Sequence, residues 1–173
     1  MITLGVVIEV LSGKQLPWSD QIIADVGIDS RKLIPGSMFV ALPGESVDGH
    51  DFVAEAFEKG ASYALVDRPV GDGISVLDLR SDAVIDFDQE LEVPFCLLVD
   101  DALTALQQVA GAWRERLDIR VIGITGSVGK STTKELTTTV LKQRFRTLKN
   151  PGNLNNEIGL PMTLWRLGEG HQR

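Results

Sequence analysis

Residues Arg120-Val-Ile-Gly-Ile-Thr-Gly-Ser-Val-Gly-Lys-Ser-Thr132 read as an apolar strand that opens into a glycine-bearing loop and then a helix. Gly126 and Gly129 allow a tight turn with backbone N–H groups facing inward. Lys130 brings a positive charge to the β and γ phosphates of a nucleotide, and Ser131 brings a hydroxyl to the accompanying Mg2+. Glycines that served only a strand-to-helix turn would leave Lys130 and Ser131 without a reason. Thr132 and Thr133 also suit capping or packing in a first helical turn. The spacing G-x-x-x-x-G-K-[ST] calls for glycine at position 124, where the chain has Ile124, and Gly123 lies one residue too early. That departure weighs against a P-loop kinase or a switch GTPase.

Working outward, the loop predicts a helix from Lys130 to about Arg144. Upstream, Pro94 precedes a buried strand over 95–99, and Asp100-Asp101 cap a helix whose Leu103, Leu106, Ala110, Trp113 and Leu117 recur at spacings of three and four. Downstream, Asn150-Pro-Gly-Asn-Leu-Asn-Asn-Glu-Ile-Gly159 is a polar loop before an apolar helix over 161–167. Nearer the N-terminus, strands over 37–42 and 63–67 flank a helix over 51–59, with Asp51 as its cap and Gly60 as its stop. Residues 71–92 read as an acidic loop with one weak strand.

The fold class is therefore α/β. A small N-terminal α/β unit over 1–92 is expected to precede the beginning of a P-loop, Rossmann-like, mostly parallel domain over 93–173. Only 55 residues follow Asp118, enough for one strand and one or two helices. Completing such a sheet takes more chain. The expectation is an N-terminal part of a larger protein, with an exposed sheet edge and marginal packing beyond residue 120.

Residues 1–120 carry 9 basic and 21 acidic side chains, whereas residues 121–173 carry 8 and 3. The basic part holds the loop, as an anionic ligand favours. Lys142, Arg144, Arg146 and Lys149 equally suit a solvated helix end. Nucleic acid is a poor match for so acidic a chain without interleaved aromatic and basic residues. No apolar run nears the roughly 20 residues that cross a bilayer, and Met1-Ile-Thr-Leu-Gly-Val-Val-Ile8 lacks the basic flank of a signal peptide. The cytoplasm is the expected compartment and a monomer the expected state. Cys96 is the only cysteine, set in an apolar run, and with His50 and His171 as the only histidines there is no zinc-type cluster.

Gly-Ile-Thr-Gly-Ser-Val-Gly-Lys-Ser-Thr at positions 123–132 resembles the ATP loop of the Mur ligases, which build the peptide stem of the bacterial cell wall. There threonine precedes the second glycine, so Ile124 is in place; Ser131 stands where threonine is commoner and keeps the hydroxyl. Lys134-Glu135 and Gly152-Asn-Leu-Asn-Asn-Glu-Ile-Gly-Leu-Pro-Met-Thr-Leu164 resemble the member that adds D-alanyl-D-alanine. Asp29-Ser-Arg31, Pro35-Gly-Ser-Met-Phe-Val-Ala-Leu-Pro-Gly44 and Asp48-Gly-His-Asp-Phe52 resemble the uridine-nucleotide domain of the same family.

The resemblance implies ATP and Mg2+ at Gly126, Ser127, Val128, Gly129, Lys130, Ser131 and Thr132, with Ser131 on the metal. It places Ile28, Ser30, Arg31, Glu45, Ser46 and Val47 against the UDP-sugar, with the Asp48-Gly49-His50 turn shaping the site. Lys130 and Asn156 would be catalytic, with Asn156 and Glu157 where the acyl substrate meets the γ-phosphate. The implied reaction phosphorylates the terminal carboxylate of UDP-MurNAc-tripeptide, and D-alanyl-D-alanine then displaces phosphate. The plainer readings are a local Asp29–Arg31 ion pair, an ordinary Asp48-Gly49 turn, a packing role for His50 and a helix-capping asparagine. The family's later carboxylate, histidine, modified lysine and C-terminal domain have no counterpart in these 173 residues. Little or no turnover is expected from the chain alone, and a non-catalytic nucleotide- or UDP-sugar-binding module is the alternative.

Overall fold

The computed structural model describes residues 1–17, 19–44, 46–85, 91–152 and 154–168. Five short strands, β1 (Val26–Gly27), β2 (Met38–Val40), β3 (Tyr63–Val66), β4 (Val76–Asp78) and β5 (Phe95–Leu98), form one sheet in the order β1-β2-β3-β5-β4. Every pair in it is parallel. Alternation along the strands sorts the side chains between two cores. Met38, Val40, Tyr63, Leu65, Phe95 and Leu97 face one core, and Phe39, Ala64, Val66, Cys96 and Leu98 the other.

The first core is covered by α1 (Leu4–Ser12), α3 (Ala102–Glu115) and α5 (Gly159–Trp165), the second by α2 (Val53–Glu58). Helix α1, whose Leu4, Val7 and Ile8 are buried, is an element the sequence reading did not expect, although a three-and-four spacing and a stop at Gly13, where φ is +70°, mark it. Asp101 caps α3 as expected, accepting from the Thr104 N–H at 2.6 Å. Asp51 does not cap its helix. Asp48 instead accepts from the His50 N–H at the start of a 3-10 turn, Gly49–Phe52, that leads into α2. Gly60 ends that segment with φ +100°. The weak strand expected within 71–92 is β4.

The division expected at 92/93 crosses this sheet, because β5 lies between β3 and β4 and α3 covers its face. The core beneath α1 and α3 takes in residues from Ile2 to Leu117 together with Trp165 and Leu167. Residues 120–125 do not form the expected strand: they have no ladder partner among the described residues, and Val121 and Ile122 are 61% and 59% exposed. A parallel strand exists only against a neighbour, and all five strands here precede residue 99. Helix α4 (Lys130–Leu141) ends one turn before Arg144, and α5 starts two residues before the expected 161. Pro161 fits there because a first turn has no N–H to lose. The chain returns to the first unit through α5, and the buried Trp113 Nε1 donates to the Leu167 carbonyl at 3.0 Å.

Candidate functional site

The segments that leave the carboxyl ends of β1 and β2 build a cleft of about 530 Å3, where ligands of open parallel sheets bind. Ile28, Ser30, Arg31 and Val47, all expected at the UDP-sugar, meet in its wall with Phe39, Leu42 and Ile158. Ser46 is exposed and stands outside the lining, and Glu45 lies outside the described residues. Arg31 grips Asp29 through two bonds, Nε to Oδ1 at 2.8 Å and Nη2 to Oδ2 at 3.0 Å, and Lys32 adds a third contact at 3.0 Å. The Arg31 and then the Lys32 hydrogen bonds hold the Asp29 carboxyl far below the usual carboxylate range. The local ion pair is thus realised, and it fixes Arg31 at the mouth of the cleft.

His50 is 6% exposed and does not touch the cleft lining. Its Nδ1 lies 2.6 Å from Asp48 Oδ1 and its Nε2 3.1 Å from Asp67 Oδ1, so it ties the loop after β2 to the end of β3. Arg68 Nη2 donates to the other Asp48 oxygen at 2.6 Å. The His50 backbone N–H, then its ring, keep the Asp48 pKa low.

At the phosphate loop, Gly126 and Gly129 have φ +144° and +83°, backbone that side-chain-bearing residues avoid. Gly129 is the N-cap of α4 and no side chain caps that helix, so the positive end of a 12-residue helix opens on the loop. Lys130 Nζ donates to the Gly126 carbonyl and closes the loop. Val128 at the apex is 93% exposed, and Ser127 and Thr132 are exposed beside it. Ile122, Ile124, Lys130, Ser131, Lys134, Asn150, Gly152 and Asn155 surround a pocket of about 440 Å3.

Asn156 is not in that pocket. Its Oδ1 accepts from the Gly159 N–H at 2.8 Å at the start of α5, and the capping reading holds for it. Asn155 is the asparagine that lines the phosphate pocket, a choice between neighbours that composition could not make. Glu157 is exposed, lines neither pocket, and takes part through its carbonyl, which accepts from Gln107 Nε2 at 3.1 Å. Beside the first cleft lies a groove of about 340 Å3 against β1 and α5. It shares Ile28, Asp29 and Ile158 with the first cleft, and Leu154 and Asn156, which also line it, flank Asn155 in the chain.

Comparison with known proteins agrees with this geometry. The family model described as "Mur ligase family, catalytic domain" matches residues 22–92, and "Mur ligase middle domain" matches 124–173. The chain belongs to the Mur ligase family. Among Mur ligases, the UDP-N-acetylmuramoyl-tripeptide--D-alanyl-D-alanine ligase of Synechocystis sp. is 43% identical over 149 residues, 86% of this chain and 29% of that protein. The ligase of the same name from Escherichia coli is 40% identical over 166 residues, 96% of this chain and 32% of that one. A MurF crystal structure from Acinetobacter baumannii superposes with a TM-score of 0.74 at 32% identity, covering 99% of this chain and 34% of that one. MurF from Thermotoga maritima in complex with ADP gives a TM-score of 0.67 at 28% identity, over 95% and 31%. The chain thus spans about a third of the length of the relatives it matches.

Proposed function

We propose that this chain supplies the UDP-substrate cleft and the ATP phosphate loop of a cytoplasmic ligase that joins D-alanyl-D-alanine to UDP-N-acetylmuramoyl-tripeptide. The observation that carries the reading is that one chain holds both the sheet cleft and the pocket at Lys130 and Ser131, with a groove beside β1 that shares Ile28, Asp29 and Ile158 with the cleft and is lined by the two chain neighbours of Asn155. A substrate with a nucleotide at one end and a reacting carboxylate at the other matches that layout. The names of relatives 40–43% identical over most of the chain support it.

In this reading the unit through Leu117 holds the nucleotide-sugar with Ile28, Ser30, Arg31 and Val47, and residues from about 118 begin the ATP-binding part. The loop fits a triphosphate: two positive-φ glycines, an uncapped helix start and Lys130 converge on it. Among the described residues no three His, Cys, Asp or Glu side chains converge on a metal site. Mg2+ would therefore come with the phosphates and take the Ser131 hydroxyl. Bound ATP would supply the γ-phosphoryl group to the terminal carboxylate of the tripeptide. Lys130 and the loop N–H groups would hold the phosphate oxygens and offset the charge that develops there. Asn155, from the opposite wall, would orient the carboxylate, and Asn156 would act by setting the start of α5. Attack by the D-alanyl-D-alanine amine on the resulting acyl phosphate then forms the amide and expels phosphate.

Isothermal titration calorimetry of this chain with UDP-N-acetylmuramoyl-tripeptide tests the reading, with saturable binding expected. Absence of binding refutes it. A phosphate-release assay with ATP and both other substrates separates a ligase from a binding module: release at a ligase rate by this chain would refute the expectation that it needs further residues.

A further inference from the structure

The phosphate loop and the asparagine loop are held together by one side chain that the nucleotide reading does not use. Lys134 stands one turn after Lys130 on α4, so the two lie on the same face of the helix and line the same pocket. Its Nζ donates to the Asn150 carbonyl at 3.0 Å and to the Gly152 carbonyl at 2.7 Å. The side chain is only 16% exposed. An ammonium so placed needs its protons satisfied, and the carbonyls need a donor. Gly152, with φ +52°, turns the loop so that both carbonyls face Lys134. The next residue, Glu135, pairs with Lys149 just before the loop, so α4 grips the segment at two points. Beyond the grip, the Leu154 N–H donates to the Pro151 carbonyl at 3.2 Å, and Asn150 Nδ2 donates to the Leu154 carbonyl at 3.3 Å. Asn155 follows directly.

We propose that Lys134 is a positioning residue, which clamps Asn150 and Gly152 to the phosphate-loop helix and thereby sets the distance between Asn155 and a nucleotide held by Lys130 and Ser131. The inference rests on the nucleotide reading for its consequence, and the clamp itself stands on the two carbonyl bonds. Removing the ammonium frees the loop while the phosphate loop keeps its own glycines and lysine.

The test uses this chain with Lys134→Met and Lys134→Arg, read by NMR hydrogen exchange at the Leu154 amide and by titration with ADP plus Mg2+. Titration with UDP-N-acetylmuramic acid reports whether the sheet unit remains folded. Lys134→Met is expected to speed Leu154 exchange and weaken ADP binding, each by at least about tenfold, since it removes both charge-assisted hydrogen bonds. Lys134→Arg should restore most of both, and the uridine ligand should bind all variants alike. Unchanged exchange in Lys134→Met overturns the clamp, whether or not ADP binding falls. Absence of ADP binding by the unaltered chain counts against the nucleotide reading alone, and the exchange result still decides the clamp.

Discussion

Gly49 gives a sharp test of how the nucleotide-sugar cleft is built. It opens the 3-10 turn after Asp48, and its N–H donates to the Leu42 carbonyl at 2.9 Å. A Cβ there would lie 2.7 Å from Leu42 N, 2.8 Å from Leu42 O and 3.1 Å from Ala41 Cα. All three are backbone atoms at the end of β2, so no side-chain rotation relieves the clash, and the turn or the strand end must move. Overpacking of this kind costs about 1–3 kcal/mol. For a chain of this size, about 2 kcal/mol lowers the melting temperature by roughly 4–8 °C. Leu42 and Gly49 both line the cleft, so Gly49→Ala should also weaken binding of UDP-N-acetylmuramoyl-tripeptide by about tenfold, equivalent to 1.4 kcal/mol. Gly111→Ala is the matched control. It lies within α3, with ordinary φ and no atom within 4 Å of an added Cβ. There the same substitution should stabilise by about 0.8–1 kcal/mol through helix propensity and leave binding unchanged. Urea denaturation and calorimetry on the two variants read both effects. A Gly49→Ala protein with unaltered midpoint and affinity would refute the steric reasoning, as would a loss of stability in Gly111→Ala equal to that in Gly49→Ala.

Lys130→Ala should reduce affinity for ADP plus Mg2+ by at least tenfold without changing uridine-ligand binding, measured by titration of each ligand; in a ligation-competent longer protein it should abolish D-alanyl-D-alanine incorporation. Asp101→Ala should cost about 1 kcal/mol at pH 7 through loss of the α3 cap. The Thr104 N–H lowers the folded-state pKa of Asp101, so its contribution is present above the unfolded value near pH 4 and is lost as the pH falls through the folded value. The gap in melting temperature between Asp101→Ala and the unaltered chain should therefore close as the pH is lowered below about 4. Burial pushes the Cys96 thiol up to about 12, so at pH 8 it should react with a disulfide reagent only at the rate of unfolding, and at once in denaturant.

The parts legible from residues alone were those decided within a few positions along the chain. Asp101 before a three-and-four apolar stripe specified α3, Gly60 ended α2, and two glycines ahead of Lys130 specified an anion loop, because caps, turns and helical periods are local effects. Of the five described residues expected at the uridine cleft, four line it. What the residues could not reveal is which segments meet. The apolar run 120–125 reads as a strand yet has no ladder partner among the described residues, while β5 enters the sheet of the first unit across the expected boundary. His50 joins Asp48 and Asp67, and Lys134 joins carbonyls 16 and 18 positions away. Asn156 is engaged by the start of α5 while its neighbour Asn155 lines the pocket at Lys130, a difference that adjacent asparagines do not reveal in sequence. Residue order alone was enough for the caps, the helix stops and the glycine turns, though not for the strand expected at 120–125. Only the tertiary structure decided which carbonyls, carboxylates and cleft walls those elements share, because strand pairing and side-chain bridges draw on partners that chain order does not place together.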